Sequence, residues 1–557
     1  MRRLLAASLG SFLVTALATP SSAADYMLSV TGPTHAVPGR SLFVALSGAM
    51  ADAADQGIEL TVSGLPTGAD FTFPDMTASC CGTKATGFWA YSTPFSSALE
   101  LQIGASTPPG NYSIQISGKG KATAAVVETT FDFVVDPVPS APAPGPLTLP
   151  AIPQLATWET QMTTFGKKHC DEATITANGL AETNVWYYDG IRVFYQIADY
   201  AHDTSFDACA GYVRSVYRDT YVIPNNGAVG GWRVFPHGLQ MDYVRTQDDV
   251  SKQAALMLYE KGSYANGPLA GIIDTSLSRE VAYAINAKLV AGRLGEADPN
   301  LLEAYADIAL GHIDMWFVSQ NYTDRIAPFM VGLTSEALIG WYEKSGDSRV
   351  PGAIKTALDA IWATLWDPGQ KAFHYEQVKG QPPSSLAPDV NLLIAPAFAW
   401  LYRQTADAKY RDAADQIFEG GVQSAWLDGG KQFNQNYRWS FDYVKWRTEP
   451  ATTPDGGTGG SAGSGGSSPS DGGTADSSAG GSAGTSAGGS TGAAGHAGTS
   501  SQGGSGIGGS GATAANGSGS DDSGCGCSQP GSQAPAPWLL LLAGACAARR
   551  IRPRVRR

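Results

Sequence analysis

Arg279 and Tyr283, in the run "LSREVAYAI", stand four residues apart, so on a helix they share one face. That pairing suits β-elimination from a uronate. A cation neutralises the sugar carboxylate so that C5–H becomes acidic, and a tyrosine serves as base and then as acid. Glu280, between them, suits hydrolysis instead, and the bland alternative is an internal salt bridge with a packed tyrosine. His237, in "GGWRVFPHGLQMDY", is another proton-transfer candidate because imidazole titrates near neutrality. Asp189 follows Trp186, Tyr187 and Tyr188 in "NVWYYDGIRVFYQIADY". Aromatic faces stack on the C–H surfaces of sugar rings, and a carboxylate beside them binds hydroxyls or moves a proton. The catalytic candidates are therefore Asp189, His237, Arg279, Glu280 and Tyr283.

Side chains suited to gripping a glycan recur around them: Trp186, Tyr187, Trp232, Arg233, Glu336, His374 and Asn391. The segment "FNQNYRWSFDYVKWR" adds Asn436, Tyr437, Arg438 and Trp439, with Asn434 beside them, and is oddly polar for a pure packing helix. Two-carboxylate hydrolysis would draw on Asp189, Glu280, Glu336, Glu376 or Asp389. No Cys-x-x-Cys or His-x-x-x-His spacing is present, so neither a metal nor a cofactor is expected.

The elements that must position these residues divide by composition. Residues 1–24 pair Arg2 and Arg3 with a short apolar stretch and small residues, which reads as a signal peptide. Residues 25–137 alternate in short runs such as "GIELTVSG" and "NYSIQISG", the periodicity of an Ig-like β-sandwich. Residues 138–153 form a Pro-rich linker, and 154–447 are helical. Residues 448–524 are almost wholly Gly, Ser, Ala and Thr, a disordered tether. Residues 525–557 carry Cys525 and Cys527, a short apolar helix from Trp538 to Ala548, and six Arg. Net charge is −13, which argues against nucleic acid as a partner. Export permits disulfides, and Cys170 with Cys209 is the candidate pair; the adjacent Cys80 and Cys81 suit either a vicinal bridge or separate thiols.

Within the helical region, Asp203, Asp248, Asp298, Asp347 and Asp407 recur at turns ~45–60 residues apart, each suited to an N-cap. The Asp248-Asp249 pair belongs to one of these turns. Five helical hairpins, with a leftover helix at each end forming a sixth, would close a ring. This repeat resembles the (α/α)6 toroid of six-hairpin glycosidases and several polysaccharide lyases. The resemblance implies that substrate meets the end where the long connections enter the first helix of each hairpin. It also implies that Asp248-Asp249, although some toroid mannanases use such a pair, lies at the opposite end. The last 33 or so residues resemble the C-terminal sorting tails of myxobacterial surface proteins, which implies processing at Cys525 or Cys527 and anchoring at the outer cell surface. A plain tail anchor is the alternative.

The fold expected is thus multidomain: an all-β sandwich, an all-α toroid, a disordered tether and a short hydrophobic helix. The activity read first is a lyase acting by β-elimination on a uronate-containing polysaccharide. An inverting glycoside hydrolase of the six-hairpin type and a non-catalytic, glycan-binding adhesive protein stay open. A polysaccharide, the cell surface and no second copy of the chain are the expected partners.

Overall fold

The computed structural model describes residues 26–50, 58–75, 89–90, 95–120, 125–140, 142, 145–297 and 299–448. The signal peptide, Cys80, Cys81, Asp298, the tether and the tail with Cys525 and Cys527 lie outside the described residues. An N-terminal pair of β-sheets precedes a helical domain. Its strands are β1 (Tyr26–Thr31), β2 (His35–Ala36), β3 (Arg40–Met50), β4 (Ile58–Ser63), β5 (Ala69–Thr72), β6 (Trp89–Ala90), β7 (Phe95–Ile103), β8 (Gly110–Gly120) and β9 (Val126–Val135). The sheet orders are β1-β3-β7-β5 and β2-β9-β8-β4-β6.

Period-two alternation decides which faces meet. Leu42, Val44 and Leu46 of β3 join Leu99 and Leu101 of β7 on one face. Ile58, Leu60, Ile114, Ile116, Phe131 and Phe133 of the second sheet meet them in one core. Burying each such side chain contributes about 1.5–3 kcal/mol. The odd positions of β3 face the other way: buried Phe43 and half-buried Ala45 pack against the core of the helical domain, as does Ala98 of β7. A strand buried on both faces anchors the sheets to the helices.

The helices are α1 (Leu155–His169), α2 (Glu172–Asn178), α3 (Gly190–Ala201), α4 (Ser205–Arg214), α5 (Pro236–Thr246), α6 (Asp249–Lys261), α7 (Ser278–Arg293), α8 (Leu302–Phe317), α9 (Pro328–Ser345), α10 (Arg349–Leu365), α11 (Asn391–Thr405), α12 (Ala408–Ser424) and α13 (Gly430–Thr448). In α11 every residue from Asn391 to Tyr402 is buried. In α12 the buried set is Tyr410, Ala413, Ala414, Ile417, Phe418, Gly420, Gly421 and Val422, largely one stripe at helical spacing. The first pattern belongs to a helix surrounded by others and the second to one with a solvent face. Neighbour contacts agree. α3, α5, α7, α9, α11 and α13 each pack on the next, and α13 packs on α3, so an inner ring closes. α4, α6, α8, α10 and α12 each pack on the inner helix preceding them in the chain, and α1 packs on α13 and α3.

Aspartates cap two of the outer helices, Asp248 for α6 and Asp407 for α12. The N-caps of α4, α8 and α10 are Thr204, Leu301 and Ser348, and Asp203 and Asp347 stand one residue before theirs. Asp248 accepts the Val250 N–H at 2.9 Å and Asp407 the Lys409 N–H at 3.0 Å, while Asp203 and Asp347 accept from Ser205 and Arg349. Asp248 also holds Arg218 at 2.5 Å, so its carboxylate is fully engaged in structure. Cys170, just past α1, is joined to Cys209 of α4 by a disulfide.

The sheets also hold a loop of the ring. Asp75 accepts backbone N–H groups from Leu269 and Ala270 and from Ala98 of β7. His312 of α8 meets the Ile272 carbonyl through Nε2 at 3.0 Å. Residues 269–272, which lead into α7, are thereby clamped between the β-sheets and α8.

Candidate active site

Chain direction puts the N-termini of all the inner helices at one end of the ring. Their first turns bring together Asp189 and Arg192 (α3), His237 (α5), Arg279, Glu280 and Tyr283 (α7), Phe329 (α9), Asn391 (α11) and Lys431 (α13). The loops entering those helices add Trp232, Arg233, Tyr264, Tyr375 and Asp389.

Arg279 and Glu280 form an ion pair at 2.7 Å. Glu280 is 3 % exposed, and its Oε2 has no hydrogen-bond partner. Gly231 and Tyr264 cover it: a Cβ at Gly231 would stand 2.9 Å from both the Glu280 Cγ and the Tyr264 ring. Tyr264 holds a left-handed backbone, φ 65°, in a turn-rich loop. Trp232, Tyr264 and Tyr375 keep exposed ring area.

Tyr375 stacks on Phe329 at 5.3 Å, above the start of α9. Because α7 and α11 are the two neighbours of α9 in the ring, Arg279–Glu280 and Asp389 flank this stacked pair. Burial and Glu376 push the Tyr375 hydroxyl up, Arg279 and Arg325 pull it down, and Asp389 pushes it up again. Asp389 is half-buried, and burial raises its pKa against the hydrogen bonds that oppose it. The two carboxylates flanking the stacked pair therefore differ: one is ion-paired with an arginine, and burial pushes the other toward its neutral acid.

Below the mouth lies a buried charge network. Arg192 reaches Glu336 at 3.2 Å and Asp442 at 2.9 Å. The Trp439 Nε1–H donates to Glu336 at 2.7 Å, and Arg438 stands 3.5 Å away from the same oxygen. Burial alone would raise the Glu336 pKa, but Arg438 and Arg192, with the Trp439 N–H, outweigh it and hold it low. Arg438 is fully buried, boxed by Trp439 at 4.3 Å and Tyr283 at 5.4 Å.

Several expected site residues occupy structural positions instead. Asp189 is 1 % exposed and its carboxylate caps α3, accepting from Arg192 N at 3.4 Å and Gly238 N at 3.1 Å. It joins two inner helices, and a Cβ at Gly238 would run into it. Tyr188 and Asp189 both have positive φ, so the chain is strained where it enters α3. Trp186 and Tyr187 are buried in an aromatic cluster with Tyr217 and Phe235. Tyr283 is fully buried and burial raises its pKa, which makes it a poor base. His237 is kept neutral by burial and by Arg192, Arg293 and Arg438. His374 meets the Ser384 carbonyl, and Glu376 pairs with Arg325 at 2.7 Å.

The polar residues of α13 turn inward as well. Asn434 donates to the carbonyls of Val185 and Tyr187, and the Tyr437 hydroxyl donates to the Trp158 carbonyl at 2.9 Å. Asn436 donates to Gln432 within its own helix. Asn391 ties Lys371 and Ile417 together. The Asn434 amide and the Tyr437 hydroxyl satisfy backbone carbonyls of neighbouring segments, which accounts for part of the polarity of the helix.

Arg233 pairs with Glu182 at the rim. Sequence reasoning missed Glu182, Tyr264 and Lys431. Lys431 lies over the Tyr187 ring at 4.6 Å, its pKa lowered by burial and by Arg279 and Arg233, against Glu182. A lone aromatic in "EKGSYANGP" was the available signal for Tyr264. Among the described residues no group of His, Cys, Asp or Glu could hold a metal ion, and no helix is long and apolar enough to cross a membrane.

No family model matches the chain, and no curated protein matches it. Solved structures that resemble it include a family 76 glycoside hydrolase from a bovine Bacteroides thetaiotaomicron strain, at 12% identity and TM-score 0.28, covering 76% of this chain and 87% of that one. A family 123 glycoside hydrolase from Clostridium perfringens matches at 10% identity and TM-score 0.16, over 26% of this chain and 32% of that one. Native alpha-2-macroglobulin from Escherichia coli, from domain MG7 to the C-terminus, matches at 11% identity and TM-score 0.24, over 76% of this chain and 66% of that one. Likenesses this slight assign neither a fold family nor an activity.

Proposed function

We propose that the N-terminal end of the ring binds a glycan and cleaves it by hydrolysis, with Asp389 as general acid and Glu280 as general base. The observation that carries this reading is the divergence of the two carboxylates flanking Tyr375. Burial favours the protonated form of Asp389, while Glu280 is held in an ion pair with Arg279 at 2.7 Å. Carboxylates whose environments differ in this way are suited to divide acid and base work. Trp232, Tyr264 and Tyr375 offer ring faces for sugars. In this reading the helical ring is an (α/α)6 toroid and the β-sheets an Ig-like sandwich. The signal peptide and sorting tail read from sequence would display both at the cell surface, before an extracellular polysaccharide.

Hydrolysis is preferred to β-elimination because the lyase needs Arg279 and Tyr283 free. Arg279 is engaged by Glu280, and the Tyr283 hydroxyl is fully buried and hard to ionise. A second reading, glycan binding without cleavage, draws on the 3 % exposure of Glu280. Incubation with a polysaccharide panel separates the three. New reducing ends without an unsaturated, ultraviolet-absorbing product mean hydrolysis, and that product means elimination. Retained binding with no product means an adhesive protein.

A further inference from the structure

The mouth holds a cation that the protein does not neutralise. Lys431, at the start of α13, lies over the Tyr187 ring at 4.6 Å and the Tyr188 ring at 5.8 Å. Arg233 pairs with Glu182 and Arg279 with Glu280, but among the described residues the Lys431 ammonium meets no carboxylate and no hydrogen-bond acceptor. It is half-buried, so its N–H groups have lost part of their water without gaining a protein acceptor. The two ring faces offset only part of that loss.

Further uncommitted donors stand around it. Arg279 spends Nε and Nη2 on Glu280 Oε1, at 3.2 and 2.7 Å, which leaves its Nη1 without a protein acceptor. The Arg279 side chain is 29 % exposed, so this end of the guanidinium is open to a ligand. The Tyr187 and Tyr188 rings meet edge to face at 4.7 Å, and neither hydroxyl has a hydrogen-bond partner among the described residues. Burial raises the pKa of both hydroxyls and Arg279 opposes it, so the guanidinium acts on both. Burial lowers the pKa of Lys431, as do Arg279 and Arg233, against Glu182. Three cations with two carboxylates make this part of the mouth positive, on a chain whose net charge is −13.

We propose that the mouth selects an acidic glycan, whose anionic group is held by Lys431, with the free Nη1 of Arg279 and the Tyr187 and Tyr188 hydroxyls as further donors. This rests on reading the mouth as a glycan site and names the class of glycan. A carboxylate and a sulfate ester share the required chemistry, anionic oxygens that accept from several donors at once. A neutral glycan would leave Lys431 uncompensated, and a cationic one would meet a field of its own sign.

Calorimetric binding to the full chain, beside a reducing-end assay, tests this. Polygalacturonate and alginate are the carboxylate probes, dextran sulfate the sulfate ester, and dextran and mannan the neutral controls. At least one acidic probe should bind about tenfold or more above the controls, and Lys431→Met, which keeps an apolar stem over Tyr187, should remove about tenfold of that affinity. Lys431→Arg should restore most of it, and Tyr187→Phe should cost about threefold. The probe that binds tells carboxylate from sulfate. If Lys431→Met does not fold, Tyr187→Phe decides. No acidic probe bound above the controls, or undiminished binding to the folded variants, would overturn the proposal. Cleavage of a neutral glycan that is indifferent to Lys431→Met would overturn it and leave hydrolysis standing. Lys431-dependent binding of an acidic glycan without new reducing ends would support it and remove hydrolysis.

Discussion

Asp75, at the edge of the β-sheets, accepts the backbone N–H of Ala270 at 2.9 Å, on the loop that leads into α7. The same carboxylate accepts from Leu269 and Ala98. One β-domain side chain thus fixes the approach to the helix that carries Arg279 and Glu280.

Asp75 is therefore a positioning residue for the mouth. Asp75→Ala strands three backbone donors and should cost about 1–3 kcal/mol of stability. It should lower kcat on a glycan more than it raises KM. Asp75→Asn, which keeps an acceptor oxygen, should recover part of both. A stability loss in urea with unchanged kcat would show the clamp to be structural only.

Asp389→Asn and Glu280→Gln should each lower kcat about 10²–10⁴-fold while leaving glycan affinity within a few fold. The sign of the pH dependence follows from Asp389. An acid must be protonated to donate, and burial raises its pKa, so activity should fall as pH rises through that raised value. Titration of turnover against pH checks this, and a rate still rising on the alkaline side would contradict the assignment.

Trp232 and Tyr264 are exposed at the mouth and serve binding rather than proton transfer. Replacing either with Ala should raise KM by about 0.5–1.5 kcal/mol equivalent, roughly two- to tenfold, with kcat little changed. Kinetics on a soluble oligosaccharide would measure the split.

His312 gives stability a pH dependence. Burial lowers its pKa from 6.5 to about 4, so the unfolded chain takes up this proton first as pH falls. Stability from this group is full above 6.5 and lost as pH drops through about 4, up to about 3 kcal/mol. Asp307, also on α8, works in the opposite direction: burial raises it to about 6, so its contribution is present below 3.8 and lost as pH rises through about 6. His312→Gln keeps a donor for the Ile272 carbonyl and should flatten the fall in stability between pH 6.5 and 4. Urea midpoints measured across that range would reveal it, and parallel curves for the two proteins would remove His312 from the account.

Local signals were legible in the sequence. Alternation in "NYSIQISG" marks β8, and the turn aspartates Asp248 and Asp407 cap α6 and α12 where their spacing put them. The exposure of candidate site residues was not legible. Asp189 sits among aromatics as a sugar-binding carboxylate would, yet its fate is set by Gly238, whose N–H it accepts from another helix. Asn434 and Tyr437 look like ligand-gripping groups because sequence shows their polarity but not the carbonyls of Val185 and Trp158 that they meet. The clamp from Asp75 to Ala270 spans 195 residues and leaves no local trace.

The most direct test of the central claim is product analysis of the full chain on a polysaccharide panel, run beside Asp389→Asn. The account predicts new reducing ends with no unsaturated product, abolished in the variant while binding persists. An ultraviolet-absorbing unsaturated product, or cleavage that survives Asp389→Asn, would contradict it.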